Sequence, residues 1–195
     1  MPPSPVRSSP PPHPPATQVS AWIERFAPLV ASDARVLDLA SGHGRHARYF
    51  AARGNRVVAV DRDESALAAL AVDARIETRR VDLEGGAWPL PHEHFGAIVV
   101  TNYLHRPLFS FLLAALEGDG VLLYETFARG NEAFGRPSNP DFLLQKDELW
   151  RIAERRLTVV AFEQGVVADA KPGAVVQRLA AVGPDRPWPP VLPSG

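Results

Sequence analysis

The sequence predicts a doubly wound α/β fold, a mostly parallel sheet between two layers of helices, and three observations carry that prediction. Short apolar runs recur at Val36–Leu39, Val57–Val60, Ala97–Val100 and Val121–Tyr124, with a further strand expected at Ile76–Val81, and each runs into polar residues. Helix-period segments separate them, and strands alternating with helices form parallel sheets covered on both faces. Further on, Leu157–Phe162 and Ala174–Val182 are two more strand-like runs, with a turn around Lys171-Pro172-Gly173, so a closing antiparallel hairpin is expected. Together these predict a single three-layer domain with a seven-stranded sheet.

Taken in order, Met1–Thr17 is rich in Pro and Ser and buries too little apolar surface to fold, so a disordered tail is expected at 1–17. A proline-rich ligand for a partner domain is its functional reading. Gln18–Val30 carries Ala21, Trp22, Ile23, Phe26 and Leu29 at helical spacing, with Pro28 disturbing the last turn. The first strand ends at Ala40-Ser41-Gly42, and Gly42-His43-Gly44 permits a tight turn and close approach of a ligand. A helix follows with Ala47, Phe50 and Ala51 inward, and Gly54 stops it. Val57–Val60 leads to Asp61, about 20 residues beyond the glycines, where a nucleotide fold places a ribose-binding acid.

Glu64–Val72 is the next predicted helix, and Asp82 closes the third strand. Phe95–Thr101 runs into Asn102-Tyr103-Leu104-His105, and Pro107–Leu116 is helical with Pro at its start. Gly118-Asp119-Gly120 should turn the chain into a fifth strand that ends at Glu125. Ala128–Lys146 is a Gly-, Asn- and Pro-rich loop, and Asp147–Arg155 has helical character. The folded domain is thus expected at 18–183. A second Pro-rich tail follows at 184–195, where Trp188 is able to pack back on the body.

A chain of 195 residues with 46% hydrophobic content builds one sizeable core. The net charge of −1 supplies no global basic field, which disfavours nucleic acid and acidic lipid as partners, although an RNA acceptor stays open. Without cysteine there is no thiolate metal site and no thiol nucleophile. No run has the length of a membrane span and the start lacks a signal-peptide core, so a cytoplasmic location is expected. Oligomeric state leaves no mark in the sequence.

In such a sheet, ligands bind beyond the carboxyl ends of the strands. Asp38–Gly44, Asp61, Asp82, Asn102–His105 and Glu125 fall at the ends of strands one to five. Gly42-His43-Gly44-Arg45-His46-Ala47 also fits the dinucleotide pattern G-x-G-x-x-G/A, which by itself is weak. Two details argue against a nicotinamide oxidoreductase. Asp38 puts a carboxylate just before the turn, where it repels a pyrophosphate and attracts a cation; and none of Tyr49, Tyr103 and Tyr124 is followed by Lys four residues on.

These residues resemble the class I S-adenosylmethionine-dependent methyltransferases. The resemblance spans Val36–Val182 and rests on DLASGHG at Asp38–Gly44, VVAVD ending at Asp61, VDLE around Asp82, FGAIVVTNYLHR at Phe95–Arg106 and GDGVLLYETF at Gly118–Phe127. It implies S-adenosyl-L-methionine as cofactor, with Ala40, Ser41, Gly42 and Gly44 close to its methionine and ribose parts. Asp38 would attract its ammonium, directly or through water. Asp61 would accept from both ribose hydroxyls, Asp82 from the adenine amine, and the Leu83 amide would donate to the ring. Arg62 would cover the adenine edge, or bind a 2′-phosphate in the nicotinamide reading; Asn102 completes the cofactor set.

The chain departs from relatives that methylate base amines, which carry Asn or Asp with Pro-Pro-aromatic where this sequence has Asn102-Tyr103-Leu104-His105. The stretch from Glu125 to Leu144 is similar to small-molecule and tellurite-resistance-type methyltransferases, so a small-molecule acceptor is expected. Methyl transfer needs alignment more than acid-base help. Where a proton must leave, His105 is the first candidate base, with Tyr103 and Glu125 behind it. Phe127, Phe134 and Phe142 flank the loop that would shape the acceptor pocket. His92 and His94 lack a third ligand nearby, and His43 and His46 are expected at a helix start, so no metal site is predicted. A noncatalytic binding module remains the third reading.

Overall fold

The computed structural model describes residues 18–86, 88–168 and 173–193. Seven strands form one sheet: β1 (Arg35–Leu39), β2 (Arg56–Asp61), β3 (Ile76–Arg80), β4 (Phe95–Thr101), β5 (Leu116–Phe127), β6 (Thr158–Val167) and β7 (Ala174–Val182). Their order is β3-β2-β1-β4-β5-β7-β6. Neighbours are parallel from β3 to β5, and β7 inserts antiparallel between β5 and β6. The order reverses between β1 and β4, which opens a crevice at the carboxyl ends of these strands. The expected doubly wound fold with its closing hairpin is the observed one. The first tail, Lys171 and Pro172 of the predicted turn, and residues 194–195 lie outside the described residues.

Successive strand residues point to opposite faces, so each strand feeds two cores. Val36, Val57, Ala59, Ala97, Val99 and Leu123 pack with helices α1 (Ala21–Phe26), α2 (Arg45–Ala52) and α3 (Glu64–Ala68). Leu37, Val58, Ile98, Val100, Leu122 and Tyr124 face α4 (Phe109–Ala115) and α5 (Glu148–Ala153). Each layer of helices therefore covers one set of alternate strand residues.

Several boundaries differ from the sequence expectation for local physical reasons. The Ser20 side chain caps α1, which tightens at Ala27–Leu29 because Pro28 cannot donate a helical hydrogen bond. α3 stops at Ala68 instead of Val72; Val72 is exposed and gives a last turn nothing to bury. Gly118-Asp119-Gly120 does not precede β5 but bows out within it, as the register jumps from Phe95↔Leu116 to Ala97↔Val121. The residues after β7 hold this excursion: the Gly183 and Asp185 amides each donate at 2.8 Å to the Gly120 and Gly118 carbonyls. Arg186 then donates to the Leu29 carbonyl at 2.6 Å. Trp188 does not pack back; it is 78% exposed.

A candidate cofactor cleft at the carboxyl rim

The crevice begins at the turn leaving β1. Ala40, Gly42 and Gly44 have φ of 54°, 51° and 67°, a left-handed backbone that disfavours a side chain by about 1 kcal/mol or more. Ala40 adopts it without the freedom of glycine. At Gly44 a Cβ would also collide with the Leu70 side chain, whereas in front of Gly42 there is open space. Thus one glycine lets α2 sit against its neighbour and the other leaves room for a ligand.

Asp61 faces this turn from the end of β2. Its Oδ2 accepts from the Gly42 amide at 2.7 Å and its Oδ1 from the Asp63 amide at 2.9 Å. Glycine turn and acid, 19 residues apart in sequence, are therefore brought together as expected. Asp38 lies behind the turn at 1% exposure, and its Oδ2 accepts from the Ala47 amide at 2.9 Å. Burial pushes its pKa up to about 7, opposed by that hydrogen bond and by Arg45.

Two hydroxyls close to these acids are buried without a hydrogen-bond partner among the described residues: Ser41 Oγ and Tyr103 Oη. Burial first, then the negative charges of Glu84 and Asp82, pushes the Tyr103 phenol well above its usual range. It keeps its proton, which leaves an unpaired hydrogen-bond donor at this end of the rim. Asp82 is exposed and accepts from the Glu84 amide at 3.0 Å, Leu83 is buried, and Arg62 is exposed. Asn102 has φ 54° and donates its amide to the Glu125 carbonyl at 2.9 Å, which fixes the exit of β4.

Glu125, the third candidate base, is occupied. Its Oε2 lies 2.9 Å from Arg178 Nε and accepts from Ser20 Oγ at 3.1 Å. The Arg178 approach is a charge contact without hydrogen-bond alignment, since Nε has no aligned acceptor. His46 is buried beside it; its Nε2 accepts from the Ser20 amide at 3.3 Å, which leaves the proton on Nδ1, 3.4 Å from Thr101 Oγ1. Burial lowers its pKa to about 3. His105 is half-buried at the start of the short turn Arg106–Leu108 and has no side-chain hydrogen bond there.

The loop after β5 is fastened at both ends. Asn131 is buried; its Oδ1 accepts from the Val175 amide and its Nδ2 donates to the Pro137 carbonyl. Arg106 donates from Nε and Nη2 to the two Glu148 oxygens at 2.8 and 2.9 Å, and reaches the Asp141 and Leu143 carbonyls. Phe134 and Phe142 stay exposed on this loop and Phe127 is half-buried. Sequence reasoning missed Arg45, His46, Arg106 and Arg178, whose partners are distant in the chain. Among the described residues no three His, Asp or Glu are grouped to hold a metal ion, and no helix is long and apolar enough to cross a membrane.

The sheet order and the acid-flanked glycine turn define the class I methyltransferase fold. Residues 36–116 match the family model described as a methyltransferase domain. Among solved structures, TehB from Haemophilus influenzae superposes with a TM-score of 0.65 at 18% identity, over 80% of this chain. This chain spans only 60% of TehB. An S-adenosylmethionine-dependent methyltransferase from Mesorhizobium loti gives a TM-score of 0.66 at 19% identity, over 84% of this chain and 98% of that one. The glycopeptide N-methyltransferase MtfA, complexed with S-adenosyl-L-homocysteine, gives 0.57 at 22% identity, over 83% and 88% of the two chains. No curated protein sequence matches.

Proposed function

We propose that this protein transfers a methyl group from S-adenosyl-L-methionine to a small-molecule acceptor. The observation that supports this reading most is the pair of orphaned hydroxyls, Ser41 Oγ and Tyr103 Oη, buried around a carboxylate that faces a glycine turn. Buried polar atoms without partners are costly, and a polar ligand in this cleft satisfies them. When bound, the cofactor supplies a methyl group activated by a positive sulfur. Asp61 would accept from the ribose diol, with two carboxylate oxygens for two hydroxyls. Asp82 and the Leu83 amide would meet the adenine, Arg62 its edge, and Ala40, Ser41, Gly42, Gly44 and Asn102 the remaining wall. Asp38 acts from behind the turn, through its field and an intervening group.

On this reading residues 18–183 are the catalytic unit, and the Pro-rich 1–17 and 184–195 flank it. The acceptor enters over the exits of β4 and β5, beside His105, Phe134 and Phe142. His105 is the base where the acceptor must lose a proton. As many as 853 solved chains share the shape, so the acceptor class rests on the loop after β5. Calorimetry tests the cofactor: binding of S-adenosylmethionine and S-adenosylhomocysteine is expected, and binding of NAD(P) alone would overturn it. Transfer of labelled methyl to a small-metabolite fraction, and not to RNA, is the expected outcome for the acceptor. An unchanged rate and pH profile in His105→Ala would remove His105 as a base.

A further inference from the structure

The two edges of the sheet are built differently. β3 closes one edge with five residues, among which Glu77, Arg79 and Arg80 carry ion pairs. A short, charged strand is a common defence of an exposed edge. β6 closes the other edge with ten residues, of which Glu163 alone is charged, and it contains neither Lys nor Pro. Among the described residues no strand pairs with its outer side, so alternate N–H and C=O groups point outward unmatched. Apolar surface lies along this edge as well: Val166 is 59% exposed and Trp150, packed against Phe162, is 40% exposed.

The side chains of β6 alternate between two faces. Phe162 meets Trp150 of α5 edge-on with ring centroids 5.8 Å apart, and Gln164 accepts from the Asp147 amide at 3.1 Å, so Phe162, Gln164 and Val166 share the α5 face. Glu163 lies on the other face, 3.5 Å from both Arg25 and Arg178. We propose that a second copy of this chain adds its own β6 to this edge, antiparallel, about a twofold axis at Gln164. In a symmetric antiparallel pair one residue must face its own copy, and the strand selects which. An axis at Phe162 runs the pairing into the bulge between Val159 and Ala161, and one at Glu163 sets two carboxylates against each other. An axis at Gly165 puts Phe162 past the partner's last strand residue, Val167. At Gln164 the pairing uses only the regular stretch 161–167: Phe162 covers the partner's Val166, and Glu163 falls opposite the partner's Gly165, where there is open space. The charge and the apolar groups of this strand therefore complement a second copy of itself. Because β7 is antiparallel to both β5 and β6, the twofold turns the two carboxyl rims to opposite ends, and each cleft stays open.

The chain contains no cysteine, so a single introduced one reports the pairing. In Gln164→Cys the two thiols face each other at a spacing within reach of a disulfide, and mild oxidation is expected to give a covalent dimer on a non-reducing gel. Val72→Cys, a site 89% exposed just beyond α3, is expected to give none under the same conditions. Sedimentation equilibrium of the parent chain should show a dimer that dissociates on dilution. Val166→Lys places a charge at both symmetric contacts, and the dimer Kd should rise about 100-fold or more, while circular dichroism shows the monomer still folded. A parent that is monomeric throughout, whatever else binds this edge, overturns the proposal. So does a dimer that Val166→Lys leaves intact, or cross-linking in Gln164→Cys no faster than in Val72→Cys. The mass of the parent needs no variant, so a poorly folded substitution leaves the proposal open to refutation.

Discussion

The two halves of the carboxyl rim differ in how completely their polar groups are paired. Around β1, β2 and the exit of β4, Ser41 Oγ and Tyr103 Oη have no partner and Arg45 uses one donor. Around β5 and β7, Glu125, Arg178, Asn131, Arg106 and Glu148 are ion-paired or hydrogen-bonded to one another or to backbone, with Arg178 Nε alone among them left without an aligned acceptor. The first half is incomplete by itself, the arrangement expected where a ligand supplies the missing partners. The second is built in advance, so the acceptor would meet a wall already in place and lose less to ordering.

The largest expected effect strikes the incomplete half. Asp61→Ala removes two charge-assisted acceptors for the ribose, so S-adenosylhomocysteine affinity measured by calorimetry should fall about 100-fold or more. Normal binding would break the ribose assignment. Next comes Gly44→Ala, which adds a left-handed alanine to a collision with Leu70. A loss of about 2 to 4 kcal/mol in urea unfolding is expected, and an unchanged midpoint would show that Leu70 yields freely.

The pH dependence of stability sharpens the comparison at its boundary, where Asp38 and His46 are both buried. Asp38 titrates near 7 in the fold against 3.8 unfolded, so between these values the unfolded chain gives up its proton first. Stability from this group falls as pH rises through that window, by up to about 1.4 kcal/mol per pH unit. His46 has its pKa lowered from 6.5 to about 3, and between those values the unfolded chain holds the extra proton. Its contribution rises with pH and opposes that of Asp38 over most of the same range. His46→Asn should therefore unmask a stability that declines from about pH 4 to 7, and Asp38→Asn one that climbs to about pH 6.5. Parallel profiles in both variants would remove this pair of buried groups from the account.

The smallest effect belongs to the finished half. Arg106 is partly exposed, so Arg106→Gln should cost only about 1 kcal/mol of stability. Hydrogen exchange should nevertheless quicken at Leu143–Gln145, with S-adenosylhomocysteine affinity unchanged. Equal exchange in variant and parent would show that Asn131 alone fastens the loop.

This division also explains what was legible in the sequence. The inner parallel strands were legible because each is a short, largely apolar run ending at the rim, which placed Asp38, Asp61 and Glu125 from spacing, while Asp82 follows the mostly polar edge strand β3. The bulge at Gly118–Gly120 was not, because two glycines around an acid look the same in a turn and in a bowed strand; only pairing with residues after β7 distinguishes them. The pairing of Arg106, Arg178 and His46 was not legible because their partners come from other elements. Glu148 lies 42 residues from Arg106, and Ser20 lies 26 residues from His46. Tyr103 was placed at the rim correctly, but its protonation follows from burial that a sequence pattern does not display.

The first helix carries a different kind of consequence. Trp22 Nε1 donates to the Leu179 carbonyl at 3.2 Å across 157 residues of chain, and its buried ring packs in the core beside the last strand. At a ribosomal pace of roughly 5 to 20 residues per second, Trp22 waits about 8 to 30 s for that acceptor to be made. During that interval the indole and its neighbours Ile23 and Phe26 form an unclosed apolar flank, so the emerging chain should be most vulnerable to sticking just before β7 is added.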